Sequence, residues 1–303
     1  MRGTGVSDAG PAGLLQVVAT PIGNLGDLSP RALASFRSAD WVACEDTRHT
    51  GRLLAAHDVS VQLISYHEHN AQVRAVELVA RLRGGEVGVL VTDAGTPAIS
   101  DPGYRLVDLA HREGVPVVAV PGPTAVIAAL SIAGLPSDRF GFEGFLPTAK
   151  GARRARLETI AREWRAGGGR TIVILESARR LAGTLGELGD AWGDLRCAVC
   201  REMTKRFEEV VRGTTVELAG RYAESVPRGE IVIVVDLRSG DPPPPPEDSA
   251  EPAVDVRGRA RALLAQGLTA RDAVRALRRS GIDRRAARAE VERIRAESDG
   301  RSG

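Results

Sequence analysis

Lysine is nearly missing from this chain: Lys150 and Lys205 stand beside 39 arginines. Where planar guanidiniums supply almost all the positive charge, a lysine inside a motif invites a role that arginine cannot fill. Aromatic residues make up only 4% of the sequence, so the stacking platforms of a dedicated single-strand nucleic-acid binder are not evident. Long apolar runs are also absent. Val87 to Val91 and Ile231 to Val235 are strand-sized, far short of the roughly 20 residues that span a bilayer, and no membrane partner is expected. Met1 to Pro11 lacks the basic and apolar regions of a secretory signal, which gives a cytoplasmic address as the expectation. Cysteine is limited to Cys44, Cys197 and Cys200. The last two have CxxC spacing, but CAVC reads as strand, where positions i and i+3 point to opposite faces. No second ligand pair accompanies them, so buried free thiols are expected and no metal.

With 303 residues, 43% of them apolar, the chain is large enough for two globular domains and an appendage. The net charge of +2 conceals an asymmetry: 13 arginines face 8 acidic residues from Glu251 onward, against 28 basic and 31 acidic residues before it. The basic tail is a candidate nucleic-acid contact, although arginine clusters are often only solvated faces.

From Leu14 to Pro121, short Val/Ile/Leu-rich runs alternate with helical stretches, the signature of a parallel doubly wound sheet. A second unit follows in which CREMT and FEEVVRG, joined by a short polar link, predict an antiparallel hairpin and hence a mixed sheet. The fold class is therefore α/β. The predicted organisation is a disordered start over 1–13, α/β domains over 14–123 and 124–240, a stiff proline linker over 241–252, and a basic helical extension over 253–303. Three short helices are expected in the extension, in a helix-turn-helix-like arrangement, with Thr269 as an N-cap and Gly281 as a stop.

In a parallel sheet of this kind, ligands collect at the carboxyl ends of the strands. TPIGNLGD, EDTRHT, TDAGTPAISDPG and PGPTA each follow a strand directly, so they should cluster at that edge. TPIGNLGD lacks GxGxxG, and its helix starts only near Ser29 and Pro30, so a dinucleotide-type pyrophosphate site is not indicated. TDAGTPAISDPG says more. Gly95 permits positive φ, the prolines fix the path, and Asp93 and Asp101 accept hydrogen bonds. Such a loop can be merely rigid, but rigidity and ligand binding are compatible.

Taken in order, TPIGNLGD, EDTRHTGRLL, TDAGTPAISDPG, PGPTA, GLPSDRFGFEGFLP, ES with RRL, and REMTK with FEE resemble the motifs of the RsmI family of ribosomal RNA ribose methyltransferases, in the tetrapyrrole methylase superfamily. The likeness runs from about Leu14 to Asp236. It implies a two-domain fold, a homodimer, and S-adenosyl-L-methionine (SAM) held between the domains. The implied reaction is 2′-O-methylation of a cytidine ribose in 16S ribosomal RNA of the small subunit, in its decoding region. Carried over position by position, Thr20, Pro21, Ile22 and Gly23 form one wall of the cofactor site. Asp93, Ala94 and Gly95, with Ser100 and Asp101, approach the methionine and ribose parts, and Gly122, Pro123, Thr124 and Ala125 supply a further turn.

The implied reaction needs alignment and removal of a proton from a weak acid, the latter worth about 10²- to 10⁴-fold. Candidate groups are Glu45, Asp46, Arg48 and His49 in EDTRHT, and Arg201, Glu202 and Lys205 in REMTK, with Glu45, Arg48, Glu202 and Lys205 favoured. EDTRHT reads equally well as a capped helix start in which Asp46 or Thr47 satisfies free backbone N–H groups. Lys205 is expected to act as a base or to orient phosphate if burial lowers its pKa; a solvated surface lysine is the rival reading. His67 and His69 are placed on one side of a strand end, with a surface role favoured over metal binding. Two other functions stay open: methylation of a tetrapyrrole ring carbon, and a non-catalytic ribosome-assembly factor.

Overall fold

The computed structural model describes residues 13–245, 256–266, 268–279 and 284–299. The expectations of a disordered start, most of the proline linker and the Gly281 stop fall outside them. The chain divides into two compact units, Met1–Pro243 and Pro244–Gly303.

The first unit contains two five-stranded sheets. One comprises β1 (Leu14–Val18), β2 (Trp41–Cys44), β3 (Gln62–Ser65), β4 (Val87–Leu90) and β5 (Val117–Val120), all parallel, in the order β3-β2-β4-β1-β5. Its connections carry α1 (Pro30–Ser38), α2 (Thr47–Ala55), α3 (Ala71–Arg83) and α4 (Tyr104–Arg112). Ser29 caps α1 by accepting the Ala32 N–H, and Pro30 takes the first helical position, where a missing N–H costs nothing. After β1 the chain leaves toward β2, whereas after β4 it leaves the opposite way toward β5. The adjacent carboxyl ends of β1 and β4 therefore form a topological switch point, where an open α/β sheet leaves a crevice.

The other sheet holds β6 (Phe140–Phe145), β7 (Thr171–Ser177), β8 (Arg196–Arg201), β9 (Glu209–Thr214) and β10 (Glu230–Asp236) in the order β6-β7-β10-β8-β9. Only β6 and β7 pair in parallel, so the sheet is mixed, and β8 and β9 form the predicted hairpin. Its helices are α5 (Ala125–Ala133), α6 (Lys150–Glu163), α7 (Leu181–Trp192) and α8 (Thr215–Glu224). Thr214 and Glu217 close a reciprocal capping box on α8. Cys197 packs in the core on one face with Trp192 and Ile233, and Cys200 packs on the other with Ala129 and Val232. Their side chains diverge as strand geometry requires, and burial pushes the Cys200 thiol up to about 11 and Cys197 higher than its ordinary value.

The second unit contains α9 (Val256–Ala265), α10 (Ala270–Arg279) and α11 (Arg284–Asp299) around Ala260, Ala273, Leu277, Ala287, Val291 and Ile294. Thr269 does cap α10: its hydroxyl accepts the Asp272 N–H at 3.2 Å. Among the described residues no helix is long and apolar enough to cross a membrane.

Candidate active site

The loops after β1 and β4 are tied together. Thr20 N–H donates to Gly95 O at 2.9 Å and Gly95 N–H donates back to Thr20 O at 3.1 Å. The Thr20 hydroxyl adds a bond to Thr92 O at 3.1 Å from a side chain that is only 1% exposed. Gly95 adopts φ +84°, a left-handed backbone that glycine tolerates and a side chain resists. Ala98 and Ser100 also have positive φ, at +68° and +62°. That strained path is held by Asp101, whose Oδ1 accepts the N–H groups of Ala98 at 3.0 Å and Gly103 at 2.6 Å. Thr96 reaches across to Pro123 O at 3.3 Å, joining this loop to the turn after β5. Asp93 accepts the Asp46 N–H at 3.1 Å and so fixes the tip of β2.

These tips border a cavity of about 630 Å³. One wall comprises Ile22, Glu45, Thr92, Ala94, Gly95, Ser100, Asp101, Thr124 and Ala125; the other is built by Phe142 and Phe145 of β6, Leu175 to Arg179 around the end of β7, Met203, and Gly229 to Val232 at the start of β10. A second cavity of about 350 Å³ adjoins it, lined by Pro21, Ile22, Gly23, His49, Arg52, Asp93, Lys205 and Glu230 among others. A third, about 370 Å³, touches Gly122, Pro123 and Thr124.

The sequence-predicted residues thus separate. Ile22, Ala94, Gly95, Ser100, Asp101, Thr124, Ala125 and Glu45 line the main cavity. Pro21, Gly23, Asp93 and Lys205 border the second cavity, and Gly122 and Pro123 the third. Thr20 is buried behind the wall as a tie. Arg48 is exposed and pairs with Asp46, which caps α2 by accepting the Arg48 N–H, as the capping alternative foresaw. Glu202 lines none of the three cavities; its Oε1 accepts Lys205 Nζ at 3.0 Å and the Glu230 N–H at 3.1 Å.

The expected depression of the Lys205 pKa is not found. Burial pulls it down, but the carboxylates of Glu202 and Glu230, each 3.0 Å from Nζ, outweigh burial and hold the ammonium above its ordinary value. Lys205 is therefore a fixed cation rather than a neutral amine. Glu45 moves upward too, chiefly through desolvation and then through Asp93 and Asp101, with His67 opposing. His67 and His69 sit in a turn beyond β3 rather than on a strand: the His67 N–H is held by Asn70 Oδ1 at 2.9 Å, and the two rings meet edge to face at 5.9 Å. Among the described residues no group of three or more His, Cys, Asp or Glu is placed to hold a metal.

Several lining residues escaped the sequence reading. Glu176 and Ser177 carried a signal, being part of the ES motif. Glu176 is saturated, however, accepting from Ser177, Thr184 and Arg180. Phe142 and Phe145 lay within the GLPSDRFGFEGFLP motif, whereas Glu230 had no such flag, since a charged residue opening a buried strand is ordinary.

The sequence profile of the Tetrapyrrole (Corrin/Porphyrin) Methylases matches residues 15–219. Among curated proteins, Ribosomal RNA small subunit methyltransferase I of Synechocystis sp. is 43% identical over 266 residues, 88% of this chain and 92% of that protein. The protein of the same name from Xylella fastidiosa (strain Temecula1) is 49% identical over 226 residues, 74% of this chain and 81% of its own. Among solved structures, diphthine synthase aligns with TM-score 0.58 at 16% identity, over 74% of this chain and 89% of that one. Uroporphyrin-III C-methyl transferase from Thermus thermophilus, complexed with S-adenyl homocysteine, aligns with TM-score 0.52 at 22% identity, over 75% and 98%. The two structural likenesses establish the fold; the sequence likenesses go further, and the chain belongs to the ribosomal RNA small subunit methyltransferase I family of the tetrapyrrole methylases.

Proposed function

We propose that this protein is an enzyme that transfers the methyl group of SAM to the 2′ oxygen of a cytidine ribose in 16S ribosomal RNA, acting as a cytoplasmic homodimer on the small ribosomal subunit. The observation that carries the reading is the main cavity at the switch point, built from the very loops whose motifs define the family. Its size falls in the range of small-molecule and cofactor sites.

The residues present suit SAM. A Cβ on Gly95 would border the cavity on a backbone already at φ +84°, so glycine keeps that wall open. Asp101 Oδ2 is buried and has no hydrogen-bond partner among the described residues, an acceptor fitted to the cofactor's ammonium or hydroxyl groups. Gly95, Ala94, Ser100 and Asp101 would hold the cofactor, with Ile22, Thr124 and Ala125 closing around it. When bound, SAM supplies an electrophilic methyl on sulfonium sulfur. The chain's own task is to orient the ribose hydroxyl, exclude water and accept a proton. Under this reading, residues 14–123 form the chief SAM-binding half and 124–240 close over it, while the basic residues of 253–303 contribute RNA contacts. Transfer to a tetrapyrrole ring carbon has behind it the broad superfamily profile and a structural likeness at 22% identity, whereas the relatives at 43% and 49% identity are named for ribosomal RNA.

The test maps 2′-O-methyl groups by mass spectrometry in small-subunit RNA from a strain lacking this protein, before and after incubation with the enzyme and SAM. One cytidine should gain a 2′-O-methyl group. No gain, or no heat of SAM binding by calorimetry, refutes the proposal.

A further inference from the structure

We propose that Glu230 is a catalytic residue of this reaction: its carboxylate takes the proton from the ribose hydroxyl, with Lys205 as the positioning residue that orients it. The inference rests on the ribose methyltransferase reading above. The main and second cavities share Ile22, Ala94 and Glu230, and of these only Glu230 is ionisable. A group that must meet a methyl donor in one space and a hydroxyl entering from the next belongs at that boundary. Glu45 lines the main cavity alone and Asp93 the second alone. Lys205, which borders the second, is held protonated and has no lone pair to offer.

The surroundings show a built position. Gly229 adopts φ +98°, and a Cβ there would lie 2.2 Å from Glu202 Oε1, so the chain passes against that carboxylate. Glu202 then grips the residue twice, through its own N–H to Glu230 O at 3.1 Å and through Oε1 from the Glu230 N–H at 3.1 Å. Lys205 Nζ donates to Glu230 Oε2 at 3.0 Å. The lysine is itself seated: a Cβ on Gly23 would come within 2.5 Å of Lys205 Cγ, so the glycine of TPIGN makes room for the lysine stem. With its side chain 73% exposed, Glu230 keeps acceptor capacity facing the open space and a route for the proton to solvent. Arg52, on the second cavity's wall, makes no ion pair among the described residues, which suits a ribose flanked by phosphates.

In the step, the O2′–H bond breaks toward the Glu230 carboxylate as O2′ bonds to the methyl carbon. The carbon–sulfur bond breaks with its electron pair retained on sulfur, and the proton passes from Glu230 to water.

The full-length chain and its Glu230→Gln and Glu230→Asp variants are compared with radiolabelled SAM and unmethylated small subunits, with SAM affinity measured separately by calorimetry. Glu230→Gln should lower kcat by about 10²-fold or more while KM for subunits and Kd for SAM hold, and Glu230→Asp should recover part of kcat. Unchanged SAM affinity also reports that the variants are folded. Full kcat in Glu230→Gln overturns the proposal, as does a loss confined to KM or to SAM affinity, which would make Glu230 a binding group. If the unaltered enzyme transfers no methyl to subunits, the ribose methyltransferase reading fails, and the proposal falls with it.

Discussion

Gly95 offers a perturbation whose two consequences can be separated. In Gly95→Ala the added Cβ would meet Ile22 Cγ2 at 3.5 Å and Pro123 O at 3.9 Å, ordinary contacts, so no clash adds to the cost. What remains is the left-handed backbone at φ +84°, which costs an alanine about 1–2 kcal/mol. For a cooperative unit of this size each kcal/mol lowers Tm by about 2–4 °C, so a fall of roughly 2–8 °C is expected. Asparagine tolerates the left-handed region better than alanine, yet puts a larger side chain at the cavity wall. Gly95→Asn should therefore melt above Gly95→Ala but bind SAM more weakly, with the loss in both exceeding about tenfold, or 1.4 kcal/mol. Scanning calorimetry gives the first order and titration calorimetry the second. If SAM affinity follows Tm instead of side-chain size, or if Gly95→Ala melts with the parent, the reasoning about this loop is wrong.

Two further outcomes are expected. In Gly88→Ala the new Cβ would lie 2.2 Å from Trp41 Cη2 in a core where Trp41 has no exposure, so overpacking should cost about 1–3 kcal/mol or more, read as a lower Tm; an unchanged Tm would show that the indole can yield. Because burial first, and Asp93 and Asp101 next, raise the Glu45 pKa, the folded state favours the protonated acid. That contribution is fully present below the unfolded-state pKa and is lost as pH rises through the raised folded value. Glu45→Gln should accordingly gain Tm relative to the parent at neutral pH and lose that gain in acid, whereas a pH-independent difference contradicts the assignment.

The fold was legible where local chemistry decides it. Alternation of apolar runs marked the parallel sheet, Ser29 and Pro30 marked the start of α1, and the CAVC period placed its two thiols in different cores. Loop identity was legible too, because glycine opens backbone conformations that other residues resist and proline fixes φ, regardless of context. The apportioning of those loops among three adjoining cavities was not, since it depends on how the two sheets of the first unit meet. Lys205 illustrates the limit. Its rarity made it conspicuous, but its charge state is set jointly by Glu202, in the same motif, and Glu230, 25 residues away in sequence, and no local pattern reports the second partner. His67 and His69 failed for a nearer reason: Asn70 bonds back to the His67 N–H and turns the chain where an extended end was expected.

β10 runs between β7 and β8 with every residue after Glu230 buried. A carboxylate at the head of such a strand is mounted on the least yielding part of its sheet, while the residues opposite it hang on loops pinned by hydrogen bonds. Variation in what the enzyme accepts would thus be accommodated by the loop side, leaving the β10 side as a fixed reference against which an incoming hydroxyl is aligned.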